Sequence, residues 1–474
     1  MVVGKQATYR NNSRHDTPDR QSPDVTLGVS LFRDTVFAVS SGQGRSGVAV
    51  VRLSGPRSRG VLAALSGETE FLPRVATLRN FCSASGDLLD RGLAIWFPAP
   101  RSFTGEDVVE LHLHGGRAVV AAICGELSGQ HGLRAAEPGE FTRRAFDNGK
   151  LDLTAVEGLS DLISADTQAQ RRQALHQLGG GLYRLYESWR QRLIAVLAKV
   201  EADIEFPEEG LPDGTAHSAL SELATLQSEM RAHLRDSGRG ERLRHGLLAA
   251  IVGPPNVGKS SLLNLFSKRD VAIVSPHPGT TRDAIEVQLE LVGFPVTIAD
   301  TAGLRETTDD VEIEGVRRSR QLAADADIKI VMIDVQSSLA SRNEAVALGD
   351  RDAVFVINKV DLGRPAENTK LIGTPTFEIS VKSGFGIDEL LTALGRMAEE
   401  KLASGSEPVI TRIRHRQALE DTAICLERSL ESNKSQELVA EDIRLAVRSL
   451  GRVMGQVDVE KVLDVLFREF CIGK

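Results

Sequence analysis

An eight-residue stretch, GPPNVGKS from Gly253 to Ser260, has the residue types and spacing of a phosphate-binding loop. It follows the apolar run LLAAIV and precedes SLLNLF, and this order predicts a buried strand, a loop and a helix. The glycines let backbone N–H groups converge on phosphate oxygens at the helix N-terminus. Lys259 would bring a positive charge to the β- and γ-phosphates, and the Ser260 hydroxyl would reach Mg²⁺. A chance glycine-rich turn is the alternative interpretation.

Further motifs downstream occur in the order that a nucleotide-hydrolysing switch requires, and they argue against a chance turn. The stretch PGTTRD contains Thr281, which can cap Mg²⁺ once a γ-phosphate is bound. The stretch DTAG supplies Asp300 as a carboxylate behind the metal and Gly303 as a sensor of the γ-phosphate. Hydrolysis of a nucleoside triphosphate is therefore the predicted chemistry.

Polar side chains at the ends of two later strands would select the base. The run AVFVINKVD ends with Asn358, Lys359 and Asp361, and EISVKSG carries Ser380 and Lys382. A carboxylate at Asp361 can accept hydrogen bonds from the ring N–H and the exocyclic amine of guanine, whereas adenine would leave that charge unpaired. The sequence therefore predicts GTP over ATP.

The position after DTAG holds Leu304, where related switches often carry a glutamine that holds the attacking water. Because a leucine side chain cannot hydrogen-bond water, other groups must direct the nucleophile and neutralise the developing charge. Asn256 could hold a cation against the phosphates, or it could simply stabilise the loop as an asparagine turn. Candidates to hold the water are the acids that follow Leu304, namely Glu306, Asp309, Asp310, Glu312 and Glu314.

The elements that must position these residues change class along the chain. Short β-rich runs alternate with Gly/Pro turns over 31–148, which predicts an N-terminal α/β domain. Apolar residues recur at helical spacing over 149–245, strand–loop–helix patterns occupy 246–400, and helices resume over 401–474. The predicted fold class is a multidomain combination of α/β and all-α, with a Ras-like P-loop GTPase domain over 246–400.

We expect the 246–400 domain to be inserted into the helical domain, whose two parts would be 149–245 and 401–474. The ends of a compact domain usually lie close together, so the host helices need only a small gap. Three separate domains in a row would instead leave the final helices without a partner for their apolar stripes. The polar residues 1–30 are predicted to be a disordered leader.

Length and composition limit the class of protein. The 474 residues carry a formal charge of -8 and a pI near 5.8, which argues against an overall basic surface, although a local basic patch is compatible with this total. Four scattered cysteines without a CxxC pair suit a reducing compartment without structural zinc. No stretch approaches the roughly 18 apolar residues that cross a bilayer, and no export signal is visible. We expect a cytoplasmic protein with no membrane partner.

Several longer stretches carry a resemblance to a known family: GRSGVAVVRLSG, SFTGEDVVELHLHGG, EPGEFTRRAFDNGKLDL, NVGKSSLLN, GTTRD and the terminal FCIGK. Over residues 31–474 the chain closely resembles the tRNA-modification GTPases called MnmE or TrmE. The resemblance, together with the motifs above, implies that GTP or GDP is bound by a set of residues from the phosphate loop, the switches and the base motifs. These are Asn256, Val257, Gly258, Lys259, Ser260, Ser261, Ser275, Pro276, His277, Pro278, Gly279, Thr280, Thr281, Asp300, Thr301, Ala302, Gly303, Asn358, Lys359, Val360, Asp361, Ser380, Val381 and Lys382.

The resemblance also implies a K⁺-stimulated GTPase whose nucleotide-binding domains pair across a homodimer. The positions that match the family's potassium site are Asn256, Ser275, His277 and Thr280, and those for Mg²⁺ are Ser260 and Thr281. His277 and its flanking prolines depart from the commoner family loop. Glu312 matches the family's catalytic acid, which would orient the water, and Lys259 would assist at the phosphates. Potassium and this acid would together perform the tasks that Leu304 cannot.

A one-carbon tetrahydrofolate derivative is a further implication of the resemblance, at positions matching Arg52, Glu110, Lys150 and Lys474. Arginine or lysine suits the glutamate tail of folate, and a carboxylate such as Glu110 suits the pterin edge. From the residues alone, Arg52 and Glu110 also fit a structural ion pair on half-buried strands.

Cysteine and histidine residues give weaker signals. Cys471 matches an important tail of the family and is a catalytic candidate, although a free cysteine is often only a small buried hydrophobe. His112 and His114 alternate along one predicted strand. With no third ligand in view, we assign them to folding or substrate contacts rather than to a metal.

The resemblance implies an enzyme that adds an aminomethyl or carboxymethylaminomethyl group at C5 of the wobble uridine of certain tRNAs. It would work as a heterotetramer with an FAD-dependent subunit of the MnmG or GidA type, since this chain has no FAD fingerprint. The alternative is a GTP-dependent RNA-binding switch in ribosome assembly that performs no modification. A basic appendage would be expected of such a switch, whereas this chain is acidic in total and has a folate-like N-terminal domain.

Overall fold

The computed structural model describes residues 34–42, 44–205, 215–236, 238–273, 286–300, 321–322, 324–363, 375–403, 408–431, 434–457, 460–468, 470 and 472–473. The predicted leader over 1–30 lies outside these residues. The chain forms two compact units, which divide between Ala136 and Glu137.

Within its described residues, the first unit consists of a mixed sheet covered by two helices. Its strands are β1 Thr35–Val39, β2 Ser46–Ser54, β3 Thr77–Cys82, β4 Leu88–Phe97, β5 Val108–Gly115 and β6 Leu133–Ala135, and its helices are α1 Ser58–Ser66 and α2 Arg117–Ser128. The strand order is β3-β4-β5-β2-β1-β6, antiparallel except for the parallel pair β1/β6. Val51 and Leu111 join the core under the helices. Because side chains alternate along a strand, Arg52 and Glu110 lie on the opposite face.

The second unit begins with helices. They are α3 Glu140–Asp147, α4 Leu153–Ile163, α5 Gln168–Leu178, α6 Gly181–Glu205, α7 Thr215–Leu234 and α8 Arg239–His245. Capping side chains fix two of the starts: Asp152 accepts from the backbone N–H groups at the start of α4, and Thr167 and Gln170 form a capping box on α5. Along α6, Leu182, Tyr186 and Trp189 are buried at helical spacing.

A second sheet follows, with helices on both faces. Its elements are β7 Leu247–Val252, α9 Lys259–Phe266, β8 Glu286–Leu291, β9 Phe294–Asp300, β10 Ile328–Asp334, α10 Leu339–Leu348, β11 Ala353–Asn358, β12 Thr376–Glu378 and α11 Ile387–Leu402. The order is β12-β11-β10-β7-β9-β8, parallel except for the antiparallel pair β8/β9. Successive residues of β10 enter different cores: Met332 packs on one face and Val331 on the other. Strands buried on both faces are typical of parallel sheets.

The last helices return to the first helices. They are α12 Ile413–Ser429, α13 Gln436–Met454 and α14 Glu460–Arg468. Leu426 of α12 and Leu450 of α13 share one core with Leu193 of α6 and Leu226 of α7. The predicted fold class is therefore confirmed, with the β7–β12 sheet lying between two helical parts of the sequence. The domain boundaries at 148, 245 and 400 remain predictions.

No helix within the described ranges is both long and apolar enough to span a membrane.

Candidate functional site

The phosphate loop lies between β7 and α9, at the edge where parallel strands end. Lys259 is buried, and its Nζ donates to the carbonyl oxygens of Gly253 at 2.9 Å and Pro254 at 2.8 Å. Gly258 has φ 104°, and a Cβ there would lie 2.5 Å from the Asn358 Nδ2 atom. A side chain at this position is excluded by both the backbone conformation and the neighbouring amide.

Two oxygen ligands suited to Mg²⁺ meet beside this loop. Asp300, the last residue of β9, is fully buried, and its Oδ2 accepts a hydrogen bond from the Ser260 hydroxyl at 2.5 Å. They meet because β9 pairs in parallel with β7, so that the carboxyl ends of both strands lie at one edge. A hydroxyl and a carboxylate are the hard oxygen donors that Mg²⁺ prefers. The switch residues predicted around them, 275–281 and 301–303, lie outside the described residues.

Asn358 joins the phosphate loop to the predicted base motif. It is buried at the end of β11; its Nδ2 donates to the Val257 carbonyl at 2.8 Å, and its Oδ1 accepts from the Val381 N–H at 3.1 Å. The Ser380 hydroxyl donates to Asp361 Oδ1 at 2.7 Å. Asp361 itself is exposed to solvent. The structure thus places the residues of the predicted base motifs, which lie far from the phosphate loop in sequence, next to that loop.

The other predicted nucleotide contacts have varied surroundings. Val257 packs in the sheet core, Ser261 is in the first turn of α9, Val360 is in a short 3₁₀ turn and the Lys382 side chain is exposed.

Asp334, at the end of β10, is a residue that the motif analysis missed. Its Oδ2 accepts from Lys359 Nζ at 2.6 Å, and the same ammonium group donates to the Asn256 carbonyl at 2.8 Å. Burial alone would raise the pKa of Asp334, but the hydrogen bond and positive charge of Lys359 outweigh it and hold the pKa below its usual range. The sequence signal for Asp334 was the apolar run IVMID, which ends in this carboxylate. In the structure the run belongs to β10, and Asp334 lies opposite Asn358 of β11.

Asn256 is exposed and has φ 62°, in the left-handed region. Asparagine tolerates this conformation better than most residues, as a loop-stabilising turn would require. The exposed side chain is equally available to a cation, so both interpretations fit the geometry. The other predicted potassium ligands, Ser275, His277 and Thr280, and the acids at 306–314 including Glu312, lie outside the described residues.

Arg52 and Glu110 lie directly opposite each other on β2 and β5. Arg52 Nη2 and Nε both donate to Glu110 Oε1, at 2.8 and 3.1 Å, and the guanidinium lies 5.6 Å from the centroid of the Phe103 ring. The second carboxylate oxygen lies 3.3 Å from His112 Nε2. This half-buried cluster has both the donors and the acceptor that a folate-like ligand needs, and it also satisfies the structural ion-pair interpretation.

The remaining candidate residues either have other surroundings or lie outside the described residues. Lys150 belongs to the second unit, follows α3 and has an exposed side chain. His114 Nδ1 lies 2.8 Å from Asp90 Oδ1. Cys471 and Lys474 lie outside the described residues.

Comparison with known proteins agrees with the motif order. The family described as MnmE helical domain matches residues 153–471, and the one described as GTP-binding protein TrmE N-terminus matches residues 35–150. The tRNA modification GTPase MnmE of Parvibaculum lavamentivorans is 53% identical over 445 residues, covering 93% of this chain and 100% of that protein. The protein of the same name from Paramagnetospirillum magneticum is 50% identical over 443 residues, with 93% and 100% covered. The chain therefore belongs to the MnmE family of tRNA modification GTPases.

Proposed function

We propose that this chain is a K⁺-stimulated GTP hydrolase that acts in the cytoplasm on the wobble uridine of certain tRNAs. The observation that carries the hydrolase assignment is the convergence of Lys259, the Ser260–Asp300 pair and Asn358 at the carboxyl ends of parallel strands. This is the edge at which open α/β sheets bind their ligands.

In the proposed reaction, the ammonium group of Lys259, which donates to two loop carbonyls in this structure, would instead donate to the β- and γ-phosphates. Ser260 and Thr281 would hold Mg²⁺, with Asp300 behind them, and the metal would neutralise charge on the phosphates. Asp361 would accept from the guanine ring N–H and exocyclic amine. Asn256, Ser275, His277 and Thr280 would hold K⁺, and Glu312 would orient the attacking water.

The modification itself would occur with a second subunit. We propose a homodimer that joins an FAD-dependent partner of the MnmG or GidA type, the flavin being bound by that partner. Arg52, Glu110, Lys150 and Lys474 would hold a tetrahydrofolate derivative, which supplies the carbon for C5 of uridine. Cys471, in the FCIGK tail, is the proposed catalytic thiol. GTP hydrolysis would change the spacing of the nucleotide-binding domains and would take no part in the bond chemistry at uridine.

Nucleoside analysis of tRNA tests the overall function. Cells that lack the protein should lose the aminomethyl-type group at the wobble uridine and regain it when the gene is restored. An unchanged wobble uridine would refute the assignment and favour a switch without modification activity. For the purified protein, GTP hydrolysis measured in equal concentrations of KCl and NaCl tests the cation; equal rates would contradict the potassium site.

A further inference from the structure

The helical hairpin of α4 and α5 contacts both places where the chain passes between the helical bundle and the β7–β12 sheet. We call residues 238–246, which lead into β7, the inbound segment. We call residues 408–416, which follow α11 and begin α12, the outbound segment. Both segments belong to the second unit.

Three glutamines on α5 hold these segments. Gln170, Gln173 and Gln177 are spaced i, i+3 and i+7, so they share one face of the helix. The bonds join Gln170 Nε2 to the Arg244 carbonyl at 3.0 Å, Gln173 Nε2 to the Gly240 carbonyl at 3.1 Å, and Thr411 Oγ1 to Gln177 Oε1 at 2.8 Å. At its start, α5 also touches the sheet domain, because the Ala169 N–H donates to the Gly293 carbonyl at the β8–β9 turn, at 3.1 Å.

Asp161 on α4 joins the two segments through one oxygen atom. Its Oδ1 accepts from Arg244 Nε of the inbound segment and from Arg412 Nη2 of the outbound segment, both at 2.8 Å. The Asp161 side chain is only 12% exposed. Charge-assisted bonds in a mostly desolvated position are stronger and more directional than surface ion pairs.

Glu157, one helical turn earlier, anchors the outbound segment again. Its carboxylate accepts from Arg414 Nε at 2.6 Å, Arg414 Nη2 at 2.7 Å and His415 Nε2 at 2.8 Å. Burial alone would raise the pKa of Glu157, but His415 and the permanent charge of Arg414 hold it well below the usual range. Burial lowers the pKa of His415, and the charge of Glu157 offsets this only in part.

The inbound and outbound segments also touch each other. A Cβ on Gly240 would lie 2.3 Å from the Ile410 carbonyl oxygen, so the two backbones approach as closely as a glycine permits. Arg416 Nε lies 3.3 Å from the Glu241 carboxylate. A movement of one segment must therefore displace the other.

The same helix α4 contacts the last helix. Leu153 and Val156 of α4 share a core with Leu463, Leu466 and Phe470 at the end of the chain. A cavity of about 620 Å³ lies against α14 and both segments, lined by residues that include Arg242, Arg412, Val462 and Val465. This cavity is open toward solvent, so both segments border it rather than a close-packed interior on that side.

We propose that Asp161 is a positioning residue that transmits nucleotide-dependent movement of the sheet domain through α4 to α14, the helix that leads into the FCIGK tail. The contacts run without interruption from the segments through Asp161 and Glu157 to Leu153 and Val156, and from there to α14. Such continuity is necessary for coupling but has to be demonstrated by its effect on both sites. The inference rests on the proposed function in one respect: GTP hydrolysis is taken to drive the part that the tail plays in tRNA modification.

The test compares Asp161→Asn with a matched control, Glu229→Gln, in the full chain. Glu229 accepts from Arg192 at 2.7 Å in the same bundle, but neither residue belongs to a segment. Hydrogen exchange is measured in peptides of 460–468 with GDP and with GDP plus aluminium fluoride. We expect the wild type and Glu229→Gln to show a nucleotide-dependent difference in hydrogen exchange, and Asp161→Asn to lose most of it. All three proteins should hydrolyse GTP at rates within about twofold of one another, because neither substitution removes a contact of the phosphate loop or the base motifs.

Transfer of the modification to tRNA should fall about tenfold in Asp161→Asn relative to wild type, as expected for the loss of roughly 1.4 kcal/mol of coupling. Gln173→Ala removes only the bond from α5 to the Gly240 carbonyl, so it should cause a smaller loss of the exchange difference. This variant replaces Asp161→Asn in the test if Asp161→Asn does not fold. A full exchange difference in the folded variant would overturn the proposal, as would the absence of any difference in the wild type. If wild-type protein shows the exchange difference but modifies no tRNA, the proposed function fails and the coupling stands.

Discussion

At the residue scale, three carboxylates at or just after strand ends have different partners in the candidate site. Asp300 faces the Ser260 hydroxyl, Asp334 holds Lys359, and Asp361 is held by Ser380 with its carboxylate exposed. All three are acids within or just after strands of the same sheet. Their neighbours distinguish the three: the hydroxyl beside Asp300 is the proposed Mg²⁺ ligand, the group beside Asp334 is an ammonium, and Asp361 is the proposed acceptor for the base.

Asp361→Asn should change the base preference. An asparagine amide would present a donor to the guanine N–H groups but could pair with the second carbonyl of xanthine. We expect GTP affinity to fall at least about tenfold and xanthosine triphosphate affinity to rise, as measured by nucleotide competition. A variant that kept its preference for GTP over xanthosine triphosphate would contradict the role of Asp361.

Asp334→Asn should weaken nucleotide binding although Asp334 belongs to no recognised motif. Without the carboxylate, Lys359 loses its 2.6 Å partner and holds the Asn256 carbonyl less firmly. We expect GDP affinity to fall about tenfold, or ~1.4 kcal/mol, in titration calorimetry.

A matched control for this variant lies in the same sheet. Asp350→Asn removes the partner of Lys329, a 2.7 Å pair at the opposite end of β10, and it should leave GDP affinity unchanged. Equal losses in both variants would indicate general destabilisation rather than positioning of Lys359.

The motif residues could be predicted because their chemistry requires a fixed local order: strand, glycine loop, Lys259 and Ser260. Asp334 could not, because its partner Lys359 is brought to it by the pairing of β10 with β11, and one aspartate after an apolar run has no distinctive spacing. The pairing of Arg52 with Glu110 was anticipated as an alternative because both residues were assigned to half-buried strands.

At the element scale, α4 is held by buried charge on one face and by apolar packing on another. Glu157 is 1% exposed, and its partners Arg414 and His415 come from α12, more than 250 residues later. Each buried bond is satisfied only while α4 and α12 stay in contact. Removing one partner of such a pair leaves the other charge buried and unpaired.

Acid should loosen this contact. The pKa of Glu157 is depressed on folding, so its contribution to stability is present above the ordinary carboxyl pKa of about 4.3 and is lost as the pH falls below it. The pKa of His415 is also depressed, and its contribution is lost below about 6.5. Both effects have the same sign, so the free energy of unfolding in urea titrations should decrease below about pH 6.5, as His415 is protonated, and again below about pH 4.3, as Glu157 is protonated.

Glu157→Gln identifies the source of this pH dependence. The variant should be destabilised at pH 7 by about 3–5 kcal/mol, the usual effect of breaking a buried pair, and should show a shallower decrease below about pH 4.3, where the wild-type carboxyl is protonated. Wild-type pH dependence in this variant would show that other groups are responsible.

Helices such as α6 were predictable from the spacing of their apolar residues, and the strands of the second sheet from apolar runs that end in turns. The contacts of α4 with α12 were not, because periodicity identifies a buried face without identifying the element that covers it. The choice among partners depends on chain topology and on charges such as Glu157 and Arg414 that meet only in the folded protein.

At the scale of the whole molecule, one helical core is assembled from distant parts of the chain. Residues of α6 and α7 pack with residues of α12 and α13, with the whole β7–β12 sheet between them in sequence. Neither pair of helices can bury its apolar stripe alone.

A chain that ends at Ala403 should therefore lose the bundle. Truncation removes α12 to α14 and exposes Leu193, Leu226 and their neighbours. We expect the truncated protein to aggregate or to lose cooperative thermal unfolding of its helical signal in circular dichroism, because several fully buried side chains worth about 1.5–3 kcal/mol each become solvated. A soluble, cooperatively unfolding product would show that the first helices form an independent core.

The contact between Gly240 and the Ile410 carbonyl has an architectural consequence. The inbound and outbound segments run side by side at this contact. A linker of a few residues would therefore span the gap left by deletion of the entire β7–β12 sheet. Such a shortened protein would keep a closed bundle without the sheet, and it would lose only the contacts that the sheet makes with its host, such as the bond between the Ala169 N–H and the Gly293 carbonyl.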